Sequence, residues 1–240
     1  MIVFIHGGHH DKTCWDTTIE SINKLHSSYE TLAINLPGRG DNPADLKTLN
    51  IEKCVESATE QIMAAKPESV ILVGHSMAGV TLPGVATNLG VPLLKRLIFV
   101  ACATPEQGKC ILDSIEPPMS TIVEAKLSVK FQGLAVPALN PFLALPFFGN
   151  GMNKQQKAKV KKSLCAETTN LLIEPVDRSN MPKVPMTWVL PLRDRSLRPS
   201  LQRKFMENLG GINDIVELDT CHDAMISEPE KLAQIIIDRC

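Results

Sequence analysis

Short apolar runs rich in β-branched residues alternate along this chain with longer segments of mixed polarity. The longer segments repeat apolar residues at helical spacing, as Ile51, Val55 and Ala58 do. A strand, a helix and a further strand form the repeating unit of a parallel sheet. The pattern therefore predicts an α/β fold with flanking helices and about six mostly parallel strands. The predicted strands cover residues 2–5, 31–36, 69–73, 96–101, 185–190 and 214–218.

Two predicted helices near the end of the chain carry clear boundary signals. Ser227 precedes Pro229 in the pattern of an N-cap residue followed by proline in the first turn, so a helix is expected to begin after Ser227. A helix that opens at Pro199 is expected to end before the glycines at 210–211, because glycine readily adopts the positive φ that ends a helix.

One long segment, residues 104–182, breaks the alternation between the fourth and fifth predicted strands. It holds four of the seven phenylalanines and many of the prolines. A connection of this length inside a compact α/β domain normally carries function. We therefore expect a core of residues 1–103 and 183–240 and an inserted helical cap over the active site. The lysines within 154–162 are interpreted as a solvated helix face, with attraction of an anionic substrate or a membrane as the alternative.

Composition narrows the range of partners. Hydrophobic residues make up 44% of the chain, charged residues 21%, and the net charge is -1, which argues against disorder and against nucleic-acid binding. Prolines interrupt the most apolar stretch, residues 131–148, so no membrane span is predicted. A small-molecule substrate fits this composition best, and a homodimer is left open.

The beginning of the chain and its cysteines indicate the compartment. The first residues lack the basic region and the long apolar stretch of a secretory signal. The seven cysteines form an odd set without C-x-x-C spacing, which is typical of a reducing cytoplasm. Cys14 and Cys221 lie near the candidate site, but we interpret all seven cysteines as structural rather than nucleophilic.

The sequence Gly74-His75-Ser76-Met77-Ala78-Gly79 follows a predicted strand and precedes a predicted helix. This context is typical of a nucleophile elbow, in which small residues two before and two after the serine relieve crowding in a strained turn. Gly74 and Ala78 satisfy this requirement, so Ser76 is predicted to be the nucleophile, with a structural Gly-Ser turn as the alternative. Pro83 falls inside the following helix, where its missing N–H predicts a kink.

A nucleophilic serine needs a base and an acid that orients the base. His222 follows the last predicted strand, and Asp194 follows the strand before it, which gives the chain order Ser, Asp, His of α/β-hydrolases. Asp219 and Asp223 lie nearer to His222 in sequence. Neighbours on one loop rarely orient an imidazole as well as a residue from an adjacent strand end does, so Asp194 is the predicted acid.

The first strand runs into His6-Gly7-Gly8-His9-His10, a turn whose backbone N–H groups can face a developing negative charge. Gly8 and Met77 are the predicted oxyanion-hole donors. The histidines at 6, 9 and 10 with Asp11 are an alternative metal cluster, but they lack zinc-type spacing and distant partner ligands. We therefore expect neither a metal nor a cofactor.

Together these motifs resemble the methylesterase and hydroxynitrile-lyase branch of the α/β-hydrolases over nearly the whole chain. The resemblance rests on His6-Gly7-Gly8 with Trp15, on Gly74-His75-Ser76-Met77-Ala78-Gly79, on Arg193-Asp194-Arg195 with Gln202-Arg203, and on His222 with Met225, Ser227 and Pro229. The resemblance implies a small enzyme that works without a cofactor.

Two positions separate the esterases of that branch from its lyases. The lyases place a threonine after the first histidine and a lysine after the catalytic histidine, where this chain has Gly7 and Asp223. An aspartate would oppose a departing cyanide, whereas a lysine would attract it. The resemblance therefore implies hydrolysis of small, largely apolar carboxylic esters, with Gly7 and His75 expected to contact the substrate. The alternatives are a hydroxynitrile lyase and a small-molecule receptor without catalytic activity.

Overall fold

The computed structural model describes residues 1–114 and 133–240 of the chain. In chain order its strands are β1 (Ile2–Ile5), β2 (Thr31–Ile34), β3 (Val70–His75), β4 (Leu94–Val100), β5 (Ala135–Val136), β6 (Glu167–Thr168), β7 (Met186–Pro191) and β8 (Asp214–Leu218). Six of them form one sheet in the order β2-β1-β3-β4-β7-β8, and β5 pairs with β6 separately.

All neighbours in the six-stranded sheet are parallel, which confirms the predicted sheet. The carboxyl ends of β3, β7 and β8 therefore meet at the same edge of the sheet. Strand β3 runs two residues further than predicted, because Gly74 and His75 still pair with Phe99 and Val100 of β4. As a result Ser76 leaves directly from the end of a strand.

The helices of the described residues pack around this sheet. They are α1 (Asp16–Leu25), α2 (Ile51–Ala64), α3 (Leu82–Leu93), α4 (Pro141–Phe148), α5 (Lys154–Ser163), α6 (Asn170–Ile173), α7 (Pro199–Asn208), α8 (Ala224–Ser227) and α9 (Pro229–Ile237). Helix α7 ends before Gly210 and Gly211, whose φ values of 85° and 87° match the expected left-handed exit.

The predicted start of the last helix is wrong by one residue. Ser227 closes the short helix α8, and Glu228 is the N-cap of α9. The Ser227 hydroxyl donates to the carbonyl oxygen of Asp223 at 3.0 Å, so it bonds backwards within α8. Pro229 does lie in the first turn of α9, as predicted.

The predicted kink at Pro83 is also wrong. After Ser76 the chain forms a short 3₁₀ helix, Ser76–Val80, and α3 begins only at Leu82. Pro83 therefore lies in the first turn of α3, where its missing N–H costs no hydrogen bond. The irregular position of α3 is Gly90, whose φ is 65°.

Apolar side chains fill both faces of the sheet. In β1, Val3 and Ile5 pack into the cluster formed with α2 and α3, while Ile2 and Phe4 pack into the cluster formed with α1 and α9. All four side chains are buried, because successive residues of a strand point to opposite faces. Burial on both faces is the normal state of a parallel sheet covered by helices.

The segment 104–182 runs from β4 to β7, and its described part contains the β5–β6 pair and helices α4, α5 and α6. Residues 115–132 of the predicted cap, including Phe131, lie outside the described residues. In α5, Lys154, Lys159 and Lys161 are exposed to solvent. Across residues 1–114 and 133–240, every helix is too short or too polar to cross a lipid bilayer.

Candidate active site

Ser76 occupies a strained turn directly after β3. Its φ is 52°, in the left-handed region that residues with a side chain rarely adopt. Its carbonyl oxygen accepts a hydrogen bond of 2.9 Å from the amide of Ala103. A Cβ on Gly79 would lie 2.2 Å from the Ala103 carbonyl oxygen, so only glycine allows this close approach. The turn therefore has the backbone strain and the tight packing of a nucleophile elbow.

The reason for a small residue at position 74 differs from the one expected. From the sequence, larger side chains at positions 74 and 78 are expected to collide with each other. A Cβ on Gly74 would instead meet the Leu82 side chain, at 2.6 Å. Packing of α3 onto the end of β3 thus explains the glycine at this position.

Three side chains from three strand ends form one hydrogen-bonded chain. The Ser76 Oγ lies 2.9 Å from His222 Nε2, and the His222 Nδ1 lies 2.7 Å from Asp194 Oδ2. Because a carboxylate only accepts, the His222 Nδ1–H donates to Asp194 and leaves Nε2 to accept from the serine hydroxyl. His222 and Asp194 are 2% and 4% exposed, so little water competes for these bonds.

The Asp194 carboxylate is itself held by further donors. Its Oδ1 accepts from the amides of Ser196 and Leu197, at 2.7 and 2.8 Å. Its Oδ2 also accepts from Gln202 Nε2, at 2.9 Å, and Gln202 Oε1 accepts from Trp188 Nε1. Sequence reasoning did not assign this role to Gln202. The available signal was a polar residue on the buried face of α7, and Gln202 is 0% exposed.

The two aspartates nearest to His222 in sequence bond elsewhere. Asp219 is exposed and pairs with Arg193 Nε at 2.8 Å. The buried Asp223 Oδ2 accepts from His10 Nε2 at 3.0 Å. The two nitrogens of His222 bond to Asp194 and Ser76, so the arrangement of side chains agrees with Asp194 as the orienting acid.

The environment of His222 moves its pKa upward. Burial lowers the pKa of the imidazole, but the charge and the hydrogen bond of Asp194 raise it further, and the net pKa lies above the ordinary value. A raised pKa makes His222 a stronger base when it is neutral.

The turn after β1 passes directly beside the serine. A Cβ on Gly7 would lie 2.8 Å from the Ser76 Cβ, and a Cβ on Gly8 would lie 3.2 Å from the Met77 Sδ. His6 holds this turn: its Nε2 accepts from the Leu36 amide and its Nδ1–H donates to the Gly7 carbonyl oxygen. Burial lowers the pKa of His6 to about 3, so the ring is neutral, as these two bonds require. The turn therefore brings Gly8 next to Met77.

The structure places His75 differently from the expected substrate contact. The residue is 1% exposed, and its Nε2–H donates to the His222 carbonyl oxygen at 3.1 Å. Burial, and then the nearby His222, lower the pKa of His75 well below its ordinary value. The His75 ring is therefore buried and neutral, and its described hydrogen bond goes to the backbone of His222.

The residues of the alternative metal cluster bond to separate partners. His9 Nδ1 lies 3.1 Å from the Cys165 carbonyl oxygen, His10 bonds to Asp223, and Asp11 caps the 3₁₀ helix Lys12–Trp15. Within residues 1–114 and 133–240, the group of potential ligands whose atoms come within 4.8 Å of one another is His75, His222 and Asp223. That group overlaps the Ser76–His222–Asp194 chain and forms no separate centre.

The cysteines near the site are buried. Burial raises the pKa of the Cys14 thiol well above its ordinary value and raises that of Cys221. All seven cysteines are free of disulfide bonds. The Cys14 and Cys221 thiols therefore remain protonated at neutral pH, unlike the thiolate of a cysteine nucleophile.

The inserted segment contacts the site through the end of α4. The ring of Phe148 lies 5.6 Å from the His222 ring and 5.4 Å from the His10 ring, between centroids. The Phe148 carbonyl oxygen accepts from the Asp223 amide at 3.1 Å. An apolar side chain from segment 104–182 therefore borders the imidazole of His222.

Comparison with known proteins gives matches that extend over nearly the whole chain. The family model described as "Alpha/beta hydrolase family" matches residues 2–235. Norfluorocurarine synthase 1 from Strychnos nux-vomica is 24% identical, over 98% of this chain and 92% of that protein. Methylesterase 18 from Arabidopsis thaliana is 23% identical, over 98% of this chain and 95% of that protein. A solved structure of an extracellular alpha/beta-hydrolase from a Paenibacillus species is 20% identical, with a TM-score of 0.85 over 99% of this chain and 97% of the other.

Proposed function

We propose, from the premise that this chain belongs to the alpha/beta hydrolase family, that it is a serine carboxylic-ester hydrolase. The observation that carries the proposal is the continuous chain of hydrogen bonds from Ser76 Oγ through His222 to Asp194, with lengths of 2.9 and 2.7 Å. Relatives named as a methylesterase and as a probable esterase support the same reaction class.

In the first step, His222 Nε2 takes the hydroxyl proton of Ser76 as the serine oxygen attacks the ester carbonyl carbon. Asp194 holds the imidazole in the tautomer that accepts at Nε2, and its charge stabilises the imidazolium that forms. The alcohol then leaves with the proton from His222. An acyl group remains on Ser76.

The backbone amides of Gly8 and Met77 would stabilise the negative oxygen of each tetrahedral intermediate. Met77 directly follows the serine, and Gly8 lies beside Met77. Loss of one such donor typically costs about 100- to 1000-fold in rate. In the second step a water molecule gives its proton to His222 and attacks the acyl group, which releases the acid and restores Ser76.

Segment 104–182 serves in this proposal as the cap that selects small, largely apolar esters. The support is Phe148, which borders His222 with its ring. The sheet core of residues 1–103 and 183–240 supplies the three reacting side chains, and the cap supplies apolar contact area.

Two observations disfavour the lyase alternative. A threonine at position 7 has no room, because a Cβ there would lie 2.8 Å from both Ser76 Cβ and His75 Nδ1. Asp223, which replaces the lysine of lyases, is buried against His10 and takes no part in the Ser76–His222–Asp194 chain.

The test is hydrolysis of short para-nitrophenyl esters by the native chain and by Ser76→Ala, with the exposed Ser27→Ala as the matched control. We expect Ser76→Ala to lose about a millionfold in kcat and Ser27→Ala to match the native chain. Equal rates in Ser76→Ala and the native chain would exclude Ser76 as the nucleophile. Absence of Ser76-dependent hydrolysis across a panel of esters would favour the receptor alternative.

A further inference from the structure

We propose that Glu167, neutralised by Arg39, is a positioning residue for the oxyanion loop, defined here as residues 6–11. The inference rests on the proposed function, because it concerns how the Gly8 amide is held for the ester oxyanion. Glu167 belongs to β6 of the inserted segment, and Arg39 belongs to the loop after β2 of the core. The pair therefore joins the cap to the loop after β2.

Both charged side chains are almost completely buried. Arg39 is 1% exposed and Glu167 is 2% exposed. The Arg39 Nη2 donates to Glu167 Oε1, and Arg39 Nη1 donates to the Pro37 carbonyl oxygen. Burial of two charges is costly, and an apolar pair of similar volume stabilises a fold as well or better. Stability alone is therefore a weak explanation for this pair.

The second carboxylate oxygen of Glu167 holds the oxyanion loop. Its Oε2 accepts from the backbone amide of His9 at 3.1 Å. Two more bonds fix the same residue: the Cys165 amide donates to the His9 carbonyl oxygen at 2.9 Å, and His9 Nδ1 lies 3.1 Å from the Cys165 carbonyl oxygen. His9 needs this support, because its φ of 58° is strained for a residue with a side chain.

The bonds that hold His9 to Glu167 and Cys165 are called the His9 clamp below. Gly8 lies between the His9 clamp and Ser76. A Cβ on Gly8 would be 3.7 Å from Glu167 Oε2 and 3.2 Å from Met77 Sδ. The His9 N–H and the Gly8 carbonyl belong to one peptide group, which connects to the Gly8 N–H through the Gly8 Cα. We infer that holding this peptide group fixes the position of Gly8, and with it the Gly8 N–H. A misplacement of about 1 Å can cost on the order of 100-fold in rate.

Arg39 has a second effect, which is electrostatic. A carboxylate this close to Gly8 would repel the negative oxygen that forms in the transition state, and repulsion is strong where water is excluded. The guanidinium of Arg39 cancels that charge while Glu167 keeps its acceptor oxygen for His9. We therefore infer that the hydrogen-bond acceptor at residue 167 aids catalysis. The negative charge of Glu167 would oppose catalysis if Arg39 did not balance it.

The experiment compares R39M/E167Q with R39M/E167M. Gln and Met have nearly the same shape, and only Gln can accept from the His9 amide. With para-nitrophenyl acetate, and with active sites counted by phosphonate titration, we expect the Met variant to have a kcat at least about tenfold below the Gln variant, with a similar KM. Equal kcat values in two folded variants would overturn the proposal.

A second comparison uses R39M alone, assayed toward high pH so that Glu167 is ionised without its counter-charge. Its kcat per titrated site should lie below that of R39M/E167Q. A higher or equal kcat in R39M would contradict the electrostatic part. This comparison does not involve the Met variant, so it tests the electrostatic part even if R39M/E167M fails to fold.

Amide hydrogen exchange tests the role of Glu167 without relying on catalytic activity, and so separates it from the proposed ester hydrolysis. Amide hydrogen exchange of residues 6–11 should be faster in R39M/E167M than in R39M/E167Q, because only the first lacks an acceptor for His9. Equal exchange rates would show that residue 167 does not hold the oxyanion loop, whichever substrate the enzyme hydrolyses. Faster exchange in a chain without any Ser76-dependent hydrolysis would instead sustain the clamp and refute the ester-hydrolase function.

Discussion

The His10 imidazole bonds to the Asp223 carboxylate, with Nε2 and Oδ2 3.0 Å apart and both side chains at most 1% exposed. The other ring nitrogen of His10 lies 3.1 Å from the Gly8 carbonyl oxygen. The oxyanion loop is therefore tied to the residue that follows His222. This bond joins two parts of the proposed catalytic site that are distant in the sequence.

Loss of this bond should destabilise the protein. In Asp223→Ala, the buried Nε2 of His10 loses its hydrogen-bond acceptor. An unpaired buried donor typically lowers the free energy of unfolding by about 1–3 kcal/mol. Chemical denaturation of the variant and the native chain measures the difference. Asp219→Ala is the matched control, because Asp219 is exposed and its pair with Arg193 contributes little. Similar unfolding free energies for the two variants would show that the buried bond is unimportant.

A methyl group on Gly7 should harm activity more than one on Gly8. In Gly7→Ala the new Cβ would lie 2.8 Å from the Cβ of Ser76, so the elbow or the loop must shift. In Gly8→Ala the nearest atom, at 3.2 Å, is near the end of the flexible Met77 side chain. We expect kcat to fall by about 100-fold or more in Gly7→Ala and by less than about tenfold in Gly8→Ala, measured with one ester. The opposite order would contradict the described course of the loop.

The pH dependence of kcat/KM should report the raised pKa of His222. Only the neutral imidazole accepts the Ser76 proton, so activity should be lost as pH falls through the pKa of His222. Because Asp194 raises that pKa above its ordinary value of 6.5, the midpoint of the acid limb should lie above 6.5.

Removal of the Asp194 charge tests the cause of that shift. In Asp194→Asn the lowering effect of burial remains and the raising effect of the carboxylate is lost, so the midpoint should move to lower pH. The rate at the optimum should also fall, by about 10⁴-fold, because the imidazole tautomer is no longer correct. A profile measured from about pH 5 to about pH 9 decides this. A midpoint that stays in place would exclude Asp194 as the source of the shift.

Gln202→Leu should reduce activity although Gln202 does not touch the substrate site. The variant lacks the donor to Asp194 Oδ2 and the acceptor for Trp188 Nε1. We expect kcat to fall about tenfold with an unchanged KM, because the orientation of Asp194 and His222 is less well fixed. The neighbouring exposed Arg203→Leu serves as the control, with an expected rate near that of the native chain. Equal rates for the two variants would refute a positioning role for Gln202.

Much of the fold follows from local patterns. The six strands and α7 were predictable because apolar periodicity, proline and glycine act over a few residues. The predicted family and fold are confirmed, and the model of the alpha/beta hydrolase family matches residues 2–235. The contact between Ser76, His222 and Asp194 was predictable because parallel strands bring their carboxyl ends to one edge of the sheet.

The errors and omissions have a common physical cause. Pro83 was misplaced because a 3₁₀ turn, invisible in the apolar spacing, precedes α3. The role of His75 depends on burial behind His222, which sequence spacing does not reveal. Arg39 and Glu167 are 128 residues apart, and only the folded insertion brings them into contact. Local propensity contains no information about such a pair.

The most direct measurement of the central claim is covalent labelling of the whole protein with a fluorophosphonate, followed by mass spectrometry of its peptides. An activated serine attacks phosphorus and expels fluoride, so we predict one adduct, on Ser76. We also predict much slower labelling in His222→Ala, because that variant lacks the proposed base, whose Nε2 lies 2.9 Å from Ser76 Oγ. An unlabelled Ser76, or labelling at the native rate in His222→Ala, would contradict the account.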